Sequence, residues 1–121
     1  LPSYKTARLI NLLIQAELGN YCFFANEISS IKRMIGYEKQ VYITEKLLFR
    51  FLMAHPLPIY KKDQEKLWSQ YQKDIMRIRQ DKYEKRLLKT FDFTAWIESK
   101  LTNIPLRKIL SRTDWYISAK Q

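Results

Sequence analysis

The amino-acid sequence predicts an all-α protein built from antiparallel helical hairpins. Three observations support this fold class. Apolar residues recur every three or four positions, which is the spacing of a helix face and not the alternation of a strand. The 121 residues include only two glycines and four prolines, so few positions interrupt regular structure. Leucine, lysine, glutamate and glutamine, which favour helices, fill the segments between them.

The first predicted hairpin joins a helix from Ser3 to Leu18 and a second helix from Tyr21 to Ile35. Serine is a common helix N-cap, and Gly19 can adopt the left-handed conformation that ends a helix. Gly36 is expected to close the second helix in the same way. The first helix is apolar on two faces, so we expect it to pack between two neighbours.

The remaining helices are predicted from their apolar spacing and from their end signals. A proline disfavours helix in the residue before it, aspartate is a frequent N-cap, and proline is favoured in the first helical turn. These rules predict helices from about Glu38 or Lys39 to Ala54, from Lys61 to a break near Gln80–Asp81, from Phe93 (capped by Asp92) to Leu101, and from Leu106 (opened by Pro105) to about Ser111. Trp68 and Tyr71 lie on the apolar stripe of the fourth helix and are predicted to be core residues.

Length and composition favour one domain over residues 1–121, because no low-complexity tract or linker divides the chain. No apolar run reaches the ~18 residues that would span a bilayer. Cys22 is the only cysteine, which rules out an internal disulfide and favours the cytoplasm. The chain begins with Leu1 and not with Met, so we expect it to be a piece of something longer.

The residues offer little material for catalysis, so we expect no enzyme activity, no cofactor and no metal. A phosphate-binding loop needs several glycines, whereas Gly19 stands alone. Cys22 and His55 are the only residues of their types, and nothing in their spacing brings them together. Carboxylates such as Glu45 and Glu84 have basic neighbours within four positions. They are therefore expected on solvated helix faces.

The stretch "ELGNYCFFANEISSIKRMI" (17–35) resembles the middle of a tetratricopeptide repeat. In that repeat a glycine closes helix A, and an asparagine or acidic residue and an aromatic follow, as Gly19, Asn20 and Tyr21 do here. The segment "FDFTAWIESK" (91–100) is similar to the closing part of uncharacterised bacterial helical-repeat proteins. The resemblance implies a degenerate, tetratricopeptide-like segment of a right-handed α-solenoid, at the C-terminal end of a longer array. It implies no particular activity.

Net charge is +10, and residues 61–121 carry +7 of it. A basic run is the strongest remaining functional signal, because a stripe of cations on one helix can lie along a phosphate backbone. If the run is helical, Arg79, Lys82, Arg86 and Lys89 share one face. The candidate contacts with an anionic partner are Lys73, Arg77, Arg79, Lys82, Arg86 and Lys89. A solvated outer face is the alternative explanation of the same run.

The sequence therefore favours a noncatalytic module that binds protein or caps a larger scaffold. Its partner is expected to be another protein or the preceding repeats of the same chain. Trp115 and Tyr116, near the C-terminus, are the candidate protein interface, because aromatic residues are enriched at such contacts. The alternative is nucleic-acid binding through residues 73–89.

Overall fold

Every regular element that the structure describes is helical, which confirms the all-α class. A computed structural model describes residues 3–36 and 42–112 of the chain. The elements are α1 (Tyr4–Glu17), a 3-10 turn (Tyr21–Phe23), α2 (Phe24–Ile35), α3 (Ile43–Met53), α4 (Lys61–Gln80), α5 (Lys82–Leu88), α6 (Phe93–Thr102) and α7 (Leu106–Arg112). Within these ranges no helix is long and apolar enough to cross a membrane.

The corner between α1 and α2 forms as its residue types predict. The Ser3 hydroxyl accepts a hydrogen bond from the Thr6 amide at 3.1 Å, which confirms the N-cap of α1. Gly19 has a φ of +76°, the left-handed conformation that glycine adopts without strain. Gly36 differs, because its φ of −56° is that of a right-handed helix. Helix α2 ends at Ile35 as predicted, with Gly36 as its C-cap, but the expectation that Gly36 adopts the left-handed conformation of Gly19 is wrong.

The described residues fall into two compact units, and each has its own core. Unit 1 contains residues 3–36 and 49–56, and unit 2 contains residues 42–48 and 57–112, so the residues of α3 are shared between them. In unit 1, α1 and α2 bury apolar residues together with the last turns of α3. This core consists of Leu9, Leu12, Leu13, Phe24, Ile28, Ile31, Ile35, Phe49, Phe51 and Leu52. The expectation of one domain over residues 1–121 stays a prediction.

Helix α6 is the central element of unit 2, and α4 and α7 pack against it. Asp92 caps it as predicted, because its carboxylate accepts a hydrogen bond from the Ala95 amide at 3.0 Å. Six consecutive residues, Phe93 to Glu98, are buried, so α6 is covered on all sides over this stretch. Helix α4 begins at Lys61 and α7 follows Pro105, also as predicted.

The expected break after Arg79 is present. Helix α4 ends at Gln80, and Asp81 is extended, with φ −92° and ψ 124°. The Asp81 carboxylate then accepts hydrogen bonds from the amides of Tyr83 and Glu84 at 2.8 and 3.2 Å. Asp81 therefore caps a separate helix, α5. The predicted start of the third helix at Glu38 or Lys39 lies outside the described residues, whereas its end at Met53 is one residue from the prediction.

Candidate functional site

One face of α1 is exposed although it is largely apolar. The face opposite to it is buried in the core of unit 1 through Leu9, Leu12 and Leu13. The exposed fractions are 71% for Tyr4, 50% for Ile14 and 66% for Leu18. Ala7 and Asn11 lie on the same side of the helix, because the positions 4, 7, 11, 14 and 18 follow one another at steps of three and four. The outer face of α1 is defined here as Tyr4, Ala7, Asn11, Ile14 and Leu18.

A polar cluster fixes α1 against α2 beside this face. The Arg8 guanidinium donates to Glu27 Oε1 at 2.6 Å and to Ser30 Oγ at 2.9 Å. The Arg8 and Glu27 side chains are each only 18% exposed. The hydrogen bond that Arg8 donates to Glu27, together with the negative charge of that carboxylate, raises the pKa of Arg8 and keeps it cationic. The outer face is thus carried by a helix whose position relative to α2 is already set.

The predicted basic stripe does not form a single face. Because Asp81 separates α4 from α5, Arg79 belongs to a different helix from Lys82, Arg86 and Lys89. Arg79 also points to the interior of unit 2. Its guanidinium donates to Thr94 Oγ1 at 3.2 Å and to Glu98 Oε1 at 3.2 Å, and its side chain is 16% exposed. The expectation that Arg79 shares a solvent-exposed face with the later cations is therefore wrong.

Glu98 is held between two arginines. Arg79 contacts one of its carboxylate oxygens, and Arg112 donates to the other at 3.0 Å. The Glu98 side chain is 12% exposed. A carboxylate this deeply buried is stabilised only when charges and hydrogen bonds compensate it, and the two guanidiniums do so. This cluster ties α4 and α7 to α6.

The other five predicted contact residues are exposed, and exposed cations dominate unit 2. The described residues of this unit include twelve exposed cations: Lys46, Lys61, Lys62, Lys66, Lys73, Arg77, Lys82, Arg86, Lys89, Arg107, Lys108 and Arg112. Only two acidic residues there are exposed, Asp63 and Glu65. The surface of unit 2 is therefore more positive than its formal charge suggests.

Buried carboxylates explain why so few acidic residues of unit 2 are exposed. Glu84 is 1% exposed, and its carboxylate accepts hydrogen bonds from the amides of Ile43 and Thr44 at 2.9 and 2.8 Å and from the Thr44 hydroxyl at 2.8 Å. Glu45 is buried as well and accepts from the Tyr42 amide at 2.9 Å. The expectation that Glu45 and Glu84 lie on solvated faces is wrong. Both cap the N-terminus of α3, whose amides have no partner within the helix.

A groove of about 570 Å³ lies in unit 2 beside the first half of α4. Its lining residues are Ile59, Lys61, Gln64, Glu65, Trp68, Leu101, Thr102 and Asn103. Trp68 is half-buried and forms part of this wall, whereas Tyr71 is 3% exposed and belongs to the core as predicted. Trp115 and Tyr116, the predicted protein interface, lie outside the described residues.

Cys22 and His55 do not form a catalytic pair in the described contacts. Cys22 is exposed. His55 packs its ring against Tyr21, with 5.2 Å between centroids, and its Nδ1 lies 3.0 Å from the Phe51 carbonyl oxygen. This contact of His55 with the α1–α2 corner was not foreseen, because the two segments are far apart in the sequence. Across the described ranges, no three His, Cys, Asp or Glu side chains are grouped so as to hold a metal ion.

The described residues thus present two surfaces of different chemistry, one apolar and one basic. Comparison with protein-family models, with curated proteins and with solved structures found no match.

Proposed function

We propose that this chain is a noncatalytic helical-repeat module that binds protein through the outer face of α1. The observation that carries the proposal is the exposure of Tyr4, Ile14 and Leu18 on one side of one helix. Water contact with apolar side chains costs roughly 25 cal/mol per Å² of surface. A partner that covers this face removes that cost, and the opposite face of α1 already packs in unit 1.

The shape of the face favours a helix as the partner's contacting element. Its residues follow steps of three and four, so they form a ridge that fits the groove between the ridges of another helix. In a tetratricopeptide-like, right-handed α-solenoid, each repeat packs against its neighbours in this way, and an end repeat uses only one face. The partner is accordingly another helical protein or preceding repeats of the same chain. A cytoplasmic location is part of this proposal.

The energetics suit a reversible contact. Complete burial of a leucine or isoleucine contributes about 1.5–3 kcal/mol, and Ile14 and Leu18 are already partly covered, so about 1–2 kcal/mol each is expected. Because the Arg8–Glu27 pair holds α1 in place, little ordering cost is subtracted from this gain. Together the two side chains account for about 30-fold or more in affinity.

The test is site-specific photo-crosslinking in cells that express the full-length chain. A photoreactive residue is placed at Ile14 on the outer face, or at Ser29, an exposed position of α2, as the control. We expect a discrete crosslinked product at Ile14, either an adduct with another protein or a crosslink within the same chain, and none at Ser29. Adducts of equal yield at both positions, or none at Ile14, would contradict the proposal.

The partner so identified is then purified for a binding titration. The double variant Ile14→Glu/Leu18→Glu should weaken binding at least ~30-fold, because it places two charges in an apolar contact. The control Asn26→Glu/Ser29→Glu adds the same charge to exposed positions of α2 and should bind like the parent. A hydrolytic or transfer activity that disappears in Cys22→Ala or His55→Ala would overturn the noncatalytic part of the proposal.

A second candidate function is nucleic-acid binding through the basic residues of segment 73–89. The specific observation in its favour is the ratio of twelve exposed cations to two exposed acids in the described part of unit 2. A positive surface of this kind attracts polyanions at long range. Within the segment, Lys73, Arg77, Lys82, Arg86 and Lys89 are the exposed members.

A further inference from the structure

Helix α4 carries a row of four exposed cations, of which the basic run in the sequence included only Lys73 and Arg77. Lys62, Lys66, Lys73 and Arg77 follow one another at steps of four, seven and four positions, and all are exposed. At 3.6 residues per turn they lie on one side of the helix. Tyr71, Ile75 and Ile78, on the opposite side, are buried in unit 2. We term Lys62, Lys66, Lys73 and Arg77 the α4 stripe.

No carboxylate lies within the α4 stripe. The exposed positions between Lys66 and Lys73 on this side are Ser69, whose hydroxyl donates to the Glu65 carbonyl oxygen at 3.1 Å, and Gln70, whose side-chain amide can donate hydrogen bonds. The acidic residues of α4, which are Asp63, Glu65 and Asp74, lie roughly 70–90° around the axis from the middle of the stripe.

The ion pair of Arg77 with Asp74, at the end of the stripe, is weak enough for Arg77 to bind another anion. Arg77 contacts Asp74 at 3.3 Å, and the Arg77 side chain is 67% exposed. An exposed pair of this kind contributes only about 0.2–1 kcal/mol, so Arg77 can exchange it for a stronger anion.

From this arrangement we infer that the α4 stripe binds the phosphate backbone of a nucleic acid. The inference rests on the second candidate function and moves its contact surface from Arg79 and α5 to the outer side of α4. The stripe extends over fifteen steps along the helix, from Lys62 to Arg77, or about 22 Å at 1.5 Å per step. Because one strand of a duplex carries a phosphate every ~3.4 Å of axis, this length faces about six phosphates.

A nucleic acid fits the α4 stripe better than an anionic membrane does. Helices that lie on a membrane insert an apolar face between the lipids. The apolar face of α4 is occupied by the core of unit 2. Within α4, Met76, 51% exposed, is the exposed apolar residue beside the stripe, and the exposed Ile59 and Tyr60 precede the helix. The stripe therefore offers charge and hydrogen-bond donors, which are what a phosphate backbone takes up.

The experiment is a fluorescence-anisotropy titration of the full chain with a labelled DNA duplex. If all four cations of the stripe neutralise phosphates, the logarithm of the association constant falls with log[salt] at a slope of about −3.6. Affinity then drops about 150-fold between roughly 50 and 200 mM salt. Lys66→Gln/Lys73→Gln should halve the slope to about −1.8.

A matched control separates the stripe from net charge. Arg107→Gln/Lys108→Gln removes the same two charges from exposed positions of α7 and should keep the parent slope. Equal losses in both double variants would overturn the α4 stripe but leave nucleic-acid binding standing. No binding at the lower salt concentration would overturn both. Binding of phosphatidylserine vesicles without any binding of DNA would likewise overturn the inference in favour of a membrane.

Discussion

Glu84 shows how one buried carboxylate determines where a helix begins. Its two oxygens accept three hydrogen bonds from Ile43 and Thr44, and its side chain is almost fully buried. The first amides of α3 have no partner within their own helix, and the carboxylate supplies one from forty residues away in sequence. A negative charge at a helix N-terminus is also attracted by the positive end of the helix dipole, which stabilises the helix.

Replacing Glu84 is therefore expected to be costly. Glu84→Ala leaves three donors without their acceptor, two of them buried and one partly buried, and we expect the free energy of unfolding to fall by about 3 kcal/mol. Glu84→Gln keeps one accepting oxygen and should lose about half as much. Urea denaturation followed by circular dichroism measures both values.

The matched control for Glu84 is Glu65→Ala, which removes an exposed carboxylate from α4. An exposed substitution of this kind changes stability by less than about 0.5 kcal/mol. If Glu84→Ala proved as mild as Glu65→Ala, the capping role of Glu84 would have to be abandoned.

The N-cap formed by Asp81 divides α4 from α5 and outweighs the helix propensity of the residues around it. Residues on both sides of Asp81 favour helix, yet the Asp81 carboxylate caps the amides of Tyr83 and Glu84 and starts α5 anew. This redirects the chain, so the cations before and after Asp81 cannot share one helix face. The α4 stripe lies wholly within one uninterrupted helix, which is why it can offer a straight row of charge.

The two glycines predict a contrast at the element scale. Gly19 has a left-handed backbone, and a Cβ there would meet nothing within 4 Å, so Gly19→Ala should cost about 1–2 kcal/mol through conformational strain alone. Gly36 has helical angles, and its added Cβ would lie 3.3 Å from the Arg33 carbonyl oxygen. Gly36→Ala should therefore change stability by less than Gly19→Ala does.

Thermal unfolding of the two glycine variants measures this contrast. Asparagine tolerates the left-handed conformation, so Gly19→Asn should recover part of the stability that Gly19→Ala loses. A larger loss in Gly36→Ala than in Gly19→Ala would mean that steric contact, and not backbone conformation, limits substitution in this protein.

At the scale of the whole molecule, sequence reasoning succeeded where the determining interactions are local. The caps at Ser3 and Asp92, the turn at Gly19 and the break after Gln80 all depend on residues within a few positions. Of the two apolar faces expected on α1, the one with Leu9 and Leu12 is buried. The other is divided, because Leu13 is buried and Ile14 and Leu18 are exposed.

The errors have a common physical cause. Glu84, Arg79 and Glu98 were misjudged or overlooked because their partners lie fourteen or more residues away along the chain. Basic sequence neighbours predict that a carboxylate is exposed to solvent, but the fold can bury it against donors from distant segments. Lys62 and Lys66 were not grouped with Lys73 and Arg77 for the same reason, because the exposed side of α4 depends on which residues α6 covers.

The charge distribution makes a last prediction about the molecule as a whole. The described part of unit 2 has twelve exposed cations and only two exposed acids, so these cations repel one another in the folded state. Salt screens exposed charges, whereas the pair of Arg79 with Glu98, whose side chains are 16% and 12% exposed, is screened much less. Raising sodium chloride from about 0.05 to 0.5 M should therefore increase Tm, by about 4 °C if ~1 kcal/mol of repulsion is relieved.

Scanning calorimetry measures the shift, and Lys66→Gln/Lys73→Gln, with less repulsion to screen, should show a smaller one. A Tm that falls with added salt would mean that the ion pairs, and not the excess of surface cations, dominate the electrostatic free energy of this fold.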